Sequence, residues 1–142
     1  AAWADYNGHM TEHRYSEAFG HATDAFLTLA GMDSAYLEAG CSVFTAESQV
    51  RFRKEVKAGK TVTVRTQLLG AGEKHLHLVH QMIEADTGDV AATAELSLAH
   101  VDTKARGSCP FRAPMAAKLA ALWEGQKTLP KPDFINRAIR AA

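Results

Sequence analysis

Near the start of the chain, "ADYNGHMTEHRY" sets a carboxylate (Asp5), a carboxamide (Asn7), a glycine (Gly8) and an imidazole (His9) just ahead of a helical pattern. The first N–H groups of a helix have no acceptor within it, so a carbonyl oxygen placed there has its developing negative charge stabilised. Asp5 lies a few residues upstream, where it could attack such a carbonyl or take a proton from water. Gly8 lets the backbone take positive φ or come close to a ligand. The same residues also suit a plainer purpose, an Asx-turn with His9 left at the surface.

The surrounding patterns say what would hold these groups. Over residues 11–30 apolar side chains fall at Tyr15, Ala18, Phe19, Ala22, Ala25, Phe26 and Leu29, the spacing of an amphipathic helix. Thr11 stands as its N-cap, Glu12 complements the dipole, and Gly31 follows the end. Such a helix is about 30 Å long. Beyond Cys41 the period drops to two in four runs, 42–54, 60–69, 74–84 and 89–101. In the first run Phe44, Ala46, Val50 and Phe52 are expected on one face, with Ser48 interrupting the row. An interrupted row can mark a bulge that re-aims side chains. "GAGEK" and "DTGD" supply hairpin turns between the later runs. Each alternating strand has one apolar face that needs a cover, and the long helix is the candidate. A second helix is expected over 114–127, with Met115, Leu119, Leu122 and Trp123 on one side, and "LPKPDFINRAIRAA" after it reads as a peripheral extension with a last helical turn.

Bulk properties narrow the function. At 142 residues the chain suffices for one domain with a full core. Sixteen Lys and Arg balance sixteen Asp and Glu, leaving no electrostatic footprint for nucleic acid or an anionic membrane. No apolar run approaches the roughly 20 residues of a membrane span. Cys41 and Cys109 have no metal-ligand spacing and read as reduced thiols in a cytoplasm. His75, His77 and His80 lie on one strand, His75 and His77 on the same face, which reads as an outward polar face since no third metal ligand is in view.

Asp5-x-x-Gly8-His9 ahead of a long amphipathic helix and four long strands resembles the hotdog fold, and within it the acyl-CoA thioesterases of the 4-hydroxybenzoyl-CoA thioesterase type. The resemblance covers roughly residues 3–102, with Met10 and Tyr15 also fitting the motif, whereas Thr11 and Glu12 replace a common Asn pair. It implies an α+β hotdog fold, one long central helix packed against a curved antiparallel sheet, plus a C-terminal helix. Residues 1–110 would be the thioesterase domain, its first strand truncated, and 111–142 a C-terminal helical extension. Asp5 would be the catalytic carboxylate, the backbone N–H of Glu12 would polarise the thioester carbonyl, and Gly8 and His9 would shape the loop. The implied assembly is a homodimer or dimer of dimers in which partner strands complete each site, Glu47 and Ser48 being candidates for that contribution. The substrate would be an acyl-CoA, with no cofactor and no metal.

Within that group, "DYNGHM-EHRY", "ATDAFL" and "CSVFTAES-VRF-KE" resemble the thioesterases of carnitine degradation, which hydrolyse betainyl-CoA. Some bacteria join such a domain to a carnitine dehydrogenase, which would account for a chain that opens abruptly on its motif. A quaternary ammonium acyl group calls for aromatic faces and an acid. Trp3, Tyr6, Tyr15, Phe19, Phe44 and Glu47 offer these, although Tyr15 and Phe19 lie on the helix's apolar stripe. Arg53 and Lys54, in the basic run after the first strand, suit coenzyme A phosphates as well as solvent. Two other functions fit the fold. A hydratase of the hotdog group pairs Asp with His, but here Gly8 stands where Pro is expected and the spacing is one residue short. A non-catalytic acyl-CoA-binding dimer is the other.

Overall fold

The computed structural model describes residues 2–135. The chain folds in the order α1 (Glu12–Leu29), α2 (Ser34–Glu38), β1 (Cys41–Phe52), β2 (Val62–Ala71), β3 (His75–Glu84), β4 (Val90–Asp102), β5 (Gly107–Ser108) and α3 (Ala113–Gln126). The long strands form one antiparallel sheet in the order β1-β4-β3-β2, with β5 on the end of β4. It is the α+β hotdog arrangement, a long helix against one face of the sheet.

Alternation builds the inner face. Leu68, Leu76, Leu78, Met82 and Leu98 are all buried there to 1% exposure or less. Tyr15, Phe19, Phe26 and Leu27 of α1 join them in one cluster, as do Met115 and Leu119 of α3. Burying one such aliphatic or aromatic side chain is worth about 1.5–3 kcal/mol. Periodicity alone placed both long helices within a residue or so of where they lie. The short elements, α2 and β5, it did not indicate. α2 is started by the Asp33 carboxylate, which accepts from the Tyr36 N–H at 2.9 Å. Thr11 does occupy the N-cap of α1, yet its side chain makes no capping hydrogen bond.

The strand reading of 42–54 needs one correction. β1 slips register between Thr45 and Glu47, so Ala46 is a bulge. Val43 and Thr45 before it, and Ser48, Val50 and Phe52 after it, pair with inward-facing β4 residues; Phe44 pairs with Ala99 and faces the opposite side. Phe44 and Phe52 therefore lie on different faces of the sheet, because one extra residue inverts a period of two.

The outer face differs from a solvated polar face as well. His77, Thr93, Glu95 and Ser97 are buried there, and His77 Nε2 lies 3.1 Å from Glu95 Oε1. Beyond α3 the chain turns back across this face. The Gln67 side chain of β2 donates to the Pro130 carbonyl, and Arg53, just past β1, lies over the Phe134 ring. The described part of the extension contains turns and no helix; the expected last helical turn otherwise falls on residues 136–142, outside the described residues.

Candidate active site

The loop 4–10 is a tight hairpin docked against the chain that leaves β1. Ala4 bridges Met10 and His9 bridges Lys57, while Met10 N–H donates to the Val56 carbonyl at 2.7 Å. Asp5 and Gly8 are the first and fourth residues of its turn: the Gly8 N–H donates to the Asp5 carbonyl at 3.0 Å, and Gly8 takes φ +76°. That is where Asp and Gly are favoured in a type I turn. The Asp5 carboxylate completes it, Oδ1 accepting from the N–H of Asn7 at 2.8 Å and of His9 at 3.2 Å. The Asx-turn reading is thus correct, and it does not use the carboxylate up. Oδ2 has no hydrogen-bond partner among the described residues.

Asp5 opens onto a cleft of about 630 Å³. Asn7, His9, Met10 and Glu12 line it from the loop and the start of α1, Tyr15 from the helix, and Phe52, Arg53, Lys54 and Glu55 from the end of β1. The Glu12 and His13 N–H groups belong to the first turn of α1, where no intrahelical acceptor exists. Because Thr11 leaves its capping role unfilled, its hydroxyl does not occupy them either. A half-anchored carboxylate and a helix end with spare donors therefore share one opening.

Of the residues singled out in the sequence, Asp5, His9, Glu12, Tyr15, Arg53 and Lys54 come together here. Gly8 shapes the loop from behind. Tyr6 sits at the tip of the turn, 97% exposed. Ser48 lines a separate cavity of about 230 Å³ between α1 and β1, and Glu47 lies on the outer face beside Ser97. Phe44, 58% exposed on the same outer face, is remote from Asp5 within the subunit. Phe52, Glu55, Asn7 and Met10 were not picked out as site residues. Phe52 and Glu55 reach the cleft because the chain after β1 doubles back to pair with the loop at Lys57, a long-range contact with no periodic signature.

Charge in the cleft is unevenly spent. His9 Nε2 is 3.3 Å from Glu55 Oε2. The Lys54 ammonium is held by Asp89 at 2.8 Å and Glu84 at 3.3 Å, and these bonds raise its pKa. Burial raises the Tyr15 phenol above its ordinary value; the Val56 backbone opposes this, while the Glu55 and Asp5 carboxylates add to it. The Tyr15 ring meets Phe52 edge-to-face, centroids 5.0 Å apart.

The family description "Thioesterase-like superfamily" matches residues 1–119, which include the loop, the helix and the whole sheet. The chain belongs to the thioesterase-like superfamily. This thioesterase-like chain is 46% identical over 139 residues to the L-carnitine dehydrogenase/betainyl-CoA thioesterase of Rhizobium meliloti, covering 98% of itself and 28% of that protein. It thus spans less than a third of that relative's length. It is 41% identical to the betainyl-CoA thioesterase of Pseudomonas aeruginosa, covering 96% of itself and 87% of the relative. A Staphylococcus aureus protein solved in complex with CoA superimposes with a TM-score of 0.88 at 24% identity, over 99% of this chain and 90% of that one, a likeness of fold.

Proposed function

We propose that this thioesterase-like domain hydrolyses an acyl-CoA to the free acid and coenzyme A, with betainyl-CoA, yielding betaine, as its substrate. The observation that carries the reading is the juxtaposition of Asp5 Oδ2 with the open first turn of α1. The thioester carbonyl sits on the Glu12 N–H, which offsets charge as the carbon becomes tetrahedral. Asp5 then acts by one of two routes. As nucleophile it forms a C–O bond to the acyl carbon, the C–S bond breaks with its electrons on the coenzyme A sulfur, and water cleaves the mixed anhydride. As general base it removes a proton from the water that attacks the carbonyl, with the same thiolate departing. His9 and Gly8 fix the loop in either case. The names of the relatives that match over the loop and helix support betainyl as the acyl group.

Residues 1–110 act as the catalytic domain and 111–142 as its extension. The chain works as a homodimer or a dimer of dimers in the cytoplasm. Support for pairing comes from β1, twelve residues long on the sheet edge with Phe44 58% and Phe52 50% exposed. A partner strand along this edge would bring a second chain to Glu47 and Ser48. Support for the compartment comes from the two free thiols, Cys41 and Cys109. Arg53 is the residue for a coenzyme A phosphate; Lys54 is less suited, its ammonium being already paired.

Coenzyme A release is the test, with betainyl-CoA set beside short aliphatic, aromatic and long-chain thioesters and with enoyl-CoA hydration followed in parallel. Release concentrated on betainyl-CoA upholds the reading. Release from another acyl group keeps the reaction and discards the substrate. Hydration without release overturns the reaction, and acyl-CoA binding without turnover makes the domain a carrier.

A further inference from the structure

We propose that Phe52, backed edge-to-face by the buried Tyr15 ring, forms the seat for a cationic acyl head and selects a quaternary ammonium acyl group over a neutral one of the same shape. The inference rests on the thioester reading of the cleft and deepens it. The two rings stand at 87° to each other with centroids 5.0 Å apart, in the same opening as Asp5. Phe52 is 50% exposed, so part of its π surface is free to meet a ligand. Aromatic faces attract quaternary ammonium because the ring quadrupole is negative there, and methylated nitrogen has little hydration to lose.

Position agrees with chemistry. Tyr15 follows Glu12 by three residues on one side of the helix, a rise of about 4.5 Å. An acyl carbonyl on the Glu12 N–H therefore needs only a short spacer, a methylene or so, to bring its head group to the rings. Longer acyl chains would overrun the pair.

The charges facing this corner point the same way. Asp5, Glu12 and Glu55 bring three carboxylates to the cleft, and His9, Arg53 and Lys54 three basic groups. His9 is engaged with Glu55 and Lys54 with Asp89 and Glu84, while the Arg53 guanidinium, 5.2 Å over the Phe134 ring, keeps its charge for the coenzyme A phosphate. Among the described residues Asp5 and Glu12 form no ion pair, so with Arg53 on a coenzyme A phosphate the carboxylates left at the rings favour a positive ligand. The carboxylates near the Tyr15 hydroxyl, which help hold its proton, report the same field.

The test compares betainyl-CoA with 3,3-dimethylbutanoyl-CoA, in which carbon replaces nitrogen and the shape is kept. kcat/KM for both is measured on the full chain, on Phe52→Leu and on Phe52→Tyr, and binding of the matching non-hydrolysable thioethers is measured by calorimetry. The unmodified chain is expected to prefer the cationic thioester by about 10-fold or more. Phe52→Leu should cut that preference by about 5- to 30-fold, and Phe52→Tyr, which keeps the π face, should retain it. Equal rates on both substrates, or a preference untouched by Phe52→Leu, overturns the seat. If neither thioester is cleaved but the thioethers show the Phe52-dependent preference, the seat stands and the hydrolytic reading falls. If the thioethers bind without preference, the seat falls on its own.

Discussion

Helix α1 carries two polar sites, one at its first turn and one in its middle, and they use the same kinds of atoms to opposite ends. In the middle, His80 of β3 is fully buried between Thr23 and Thr66. The Thr23 hydroxyl donates to the Phe19 carbonyl at 3.0 Å, so it accepts from His80 Nε2 at 2.8 Å; Nδ1 in turn accepts from the Thr66 hydroxyl at 2.8 Å. Every polar atom is spent, and burial drops the imidazole from 6.5 to about 4, which keeps it neutral. At the helix start nothing is closed in this way: one carboxylate oxygen, the first-turn N–H groups and half of Phe52 remain available. Polar groups with all their bonds made hold a fold together; those with bonds to spare do chemistry.

The comparison breaks most sharply at Asp5. Asp5→Asn keeps an oxygen for the N–H groups of Asn7 and His9, so the loop stays formed, yet coenzyme A release should fall by about 10²–10⁴-fold. Thiol release together with an unchanged melting curve checks this, and an active variant would end the proposed mechanism.

His80 should govern stability instead. Its pKa is lower folded than unfolded, so between pH 6.5 and about 4 the unfolded chain binds the extra proton. Stability is then full above pH 6.5, is lost as pH falls through that window, and levels off below it at a cost of about 3 kcal/mol. Denaturant unfolding at successive pH values measures the slope. His80→Leu should cost about 1–3 kcal/mol at neutral pH, since the Thr66 hydroxyl loses its acceptor while Thr23 keeps its bond to the Phe19 carbonyl, and should remove this histidine's share of the slope. A slope that survives intact would show the acid response to arise elsewhere.

The smallest effect sharpens the contrast at the helix ends. Asp33→Ala removes a carboxylate that caps α2 and should cost about 1 kcal/mol, whereas Thr11→Ala removes a hydroxyl that caps nothing and should cost less than about 0.5 kcal/mol. Thermal melts of both distinguish a helix end held by its own side chain from one left open. Equal losses would mean that Thr11 does cap α1 in solution.

The order of elements and the cover of the sheet were legible because both rest on periodicity. The Asp5, Gly8 and His9 cluster was legible because turn chemistry restricts residue types strongly. What was missed depends on events that leave no periodic trace. The interruption at Ser48 did mark the bulge, which lies two residues earlier at Ala46, but the alternating row could not show that it sends Phe44 and Phe52 to opposite faces. Phe52 and Glu55 reach the cleft only through the return of the chain to Lys57. His77, buried beside Glu95, read as part of an outward polar face because a sequence does not show that a distant segment folds back over it.

The free edge of β1 has a cost outside the reaction. Twelve residues of strand with Phe44 and Phe52 half exposed are also a template for indiscriminate strand pairing, and Arg51 is the one charge after Glu47 that interrupts the stretch. If subunits pair along this edge as proposed, dilution that separates them would uncover this template. Storage at low concentration, ordinarily the gentle choice, would then favour precipitation, and shelf life would lengthen with protein concentration up to full pairing.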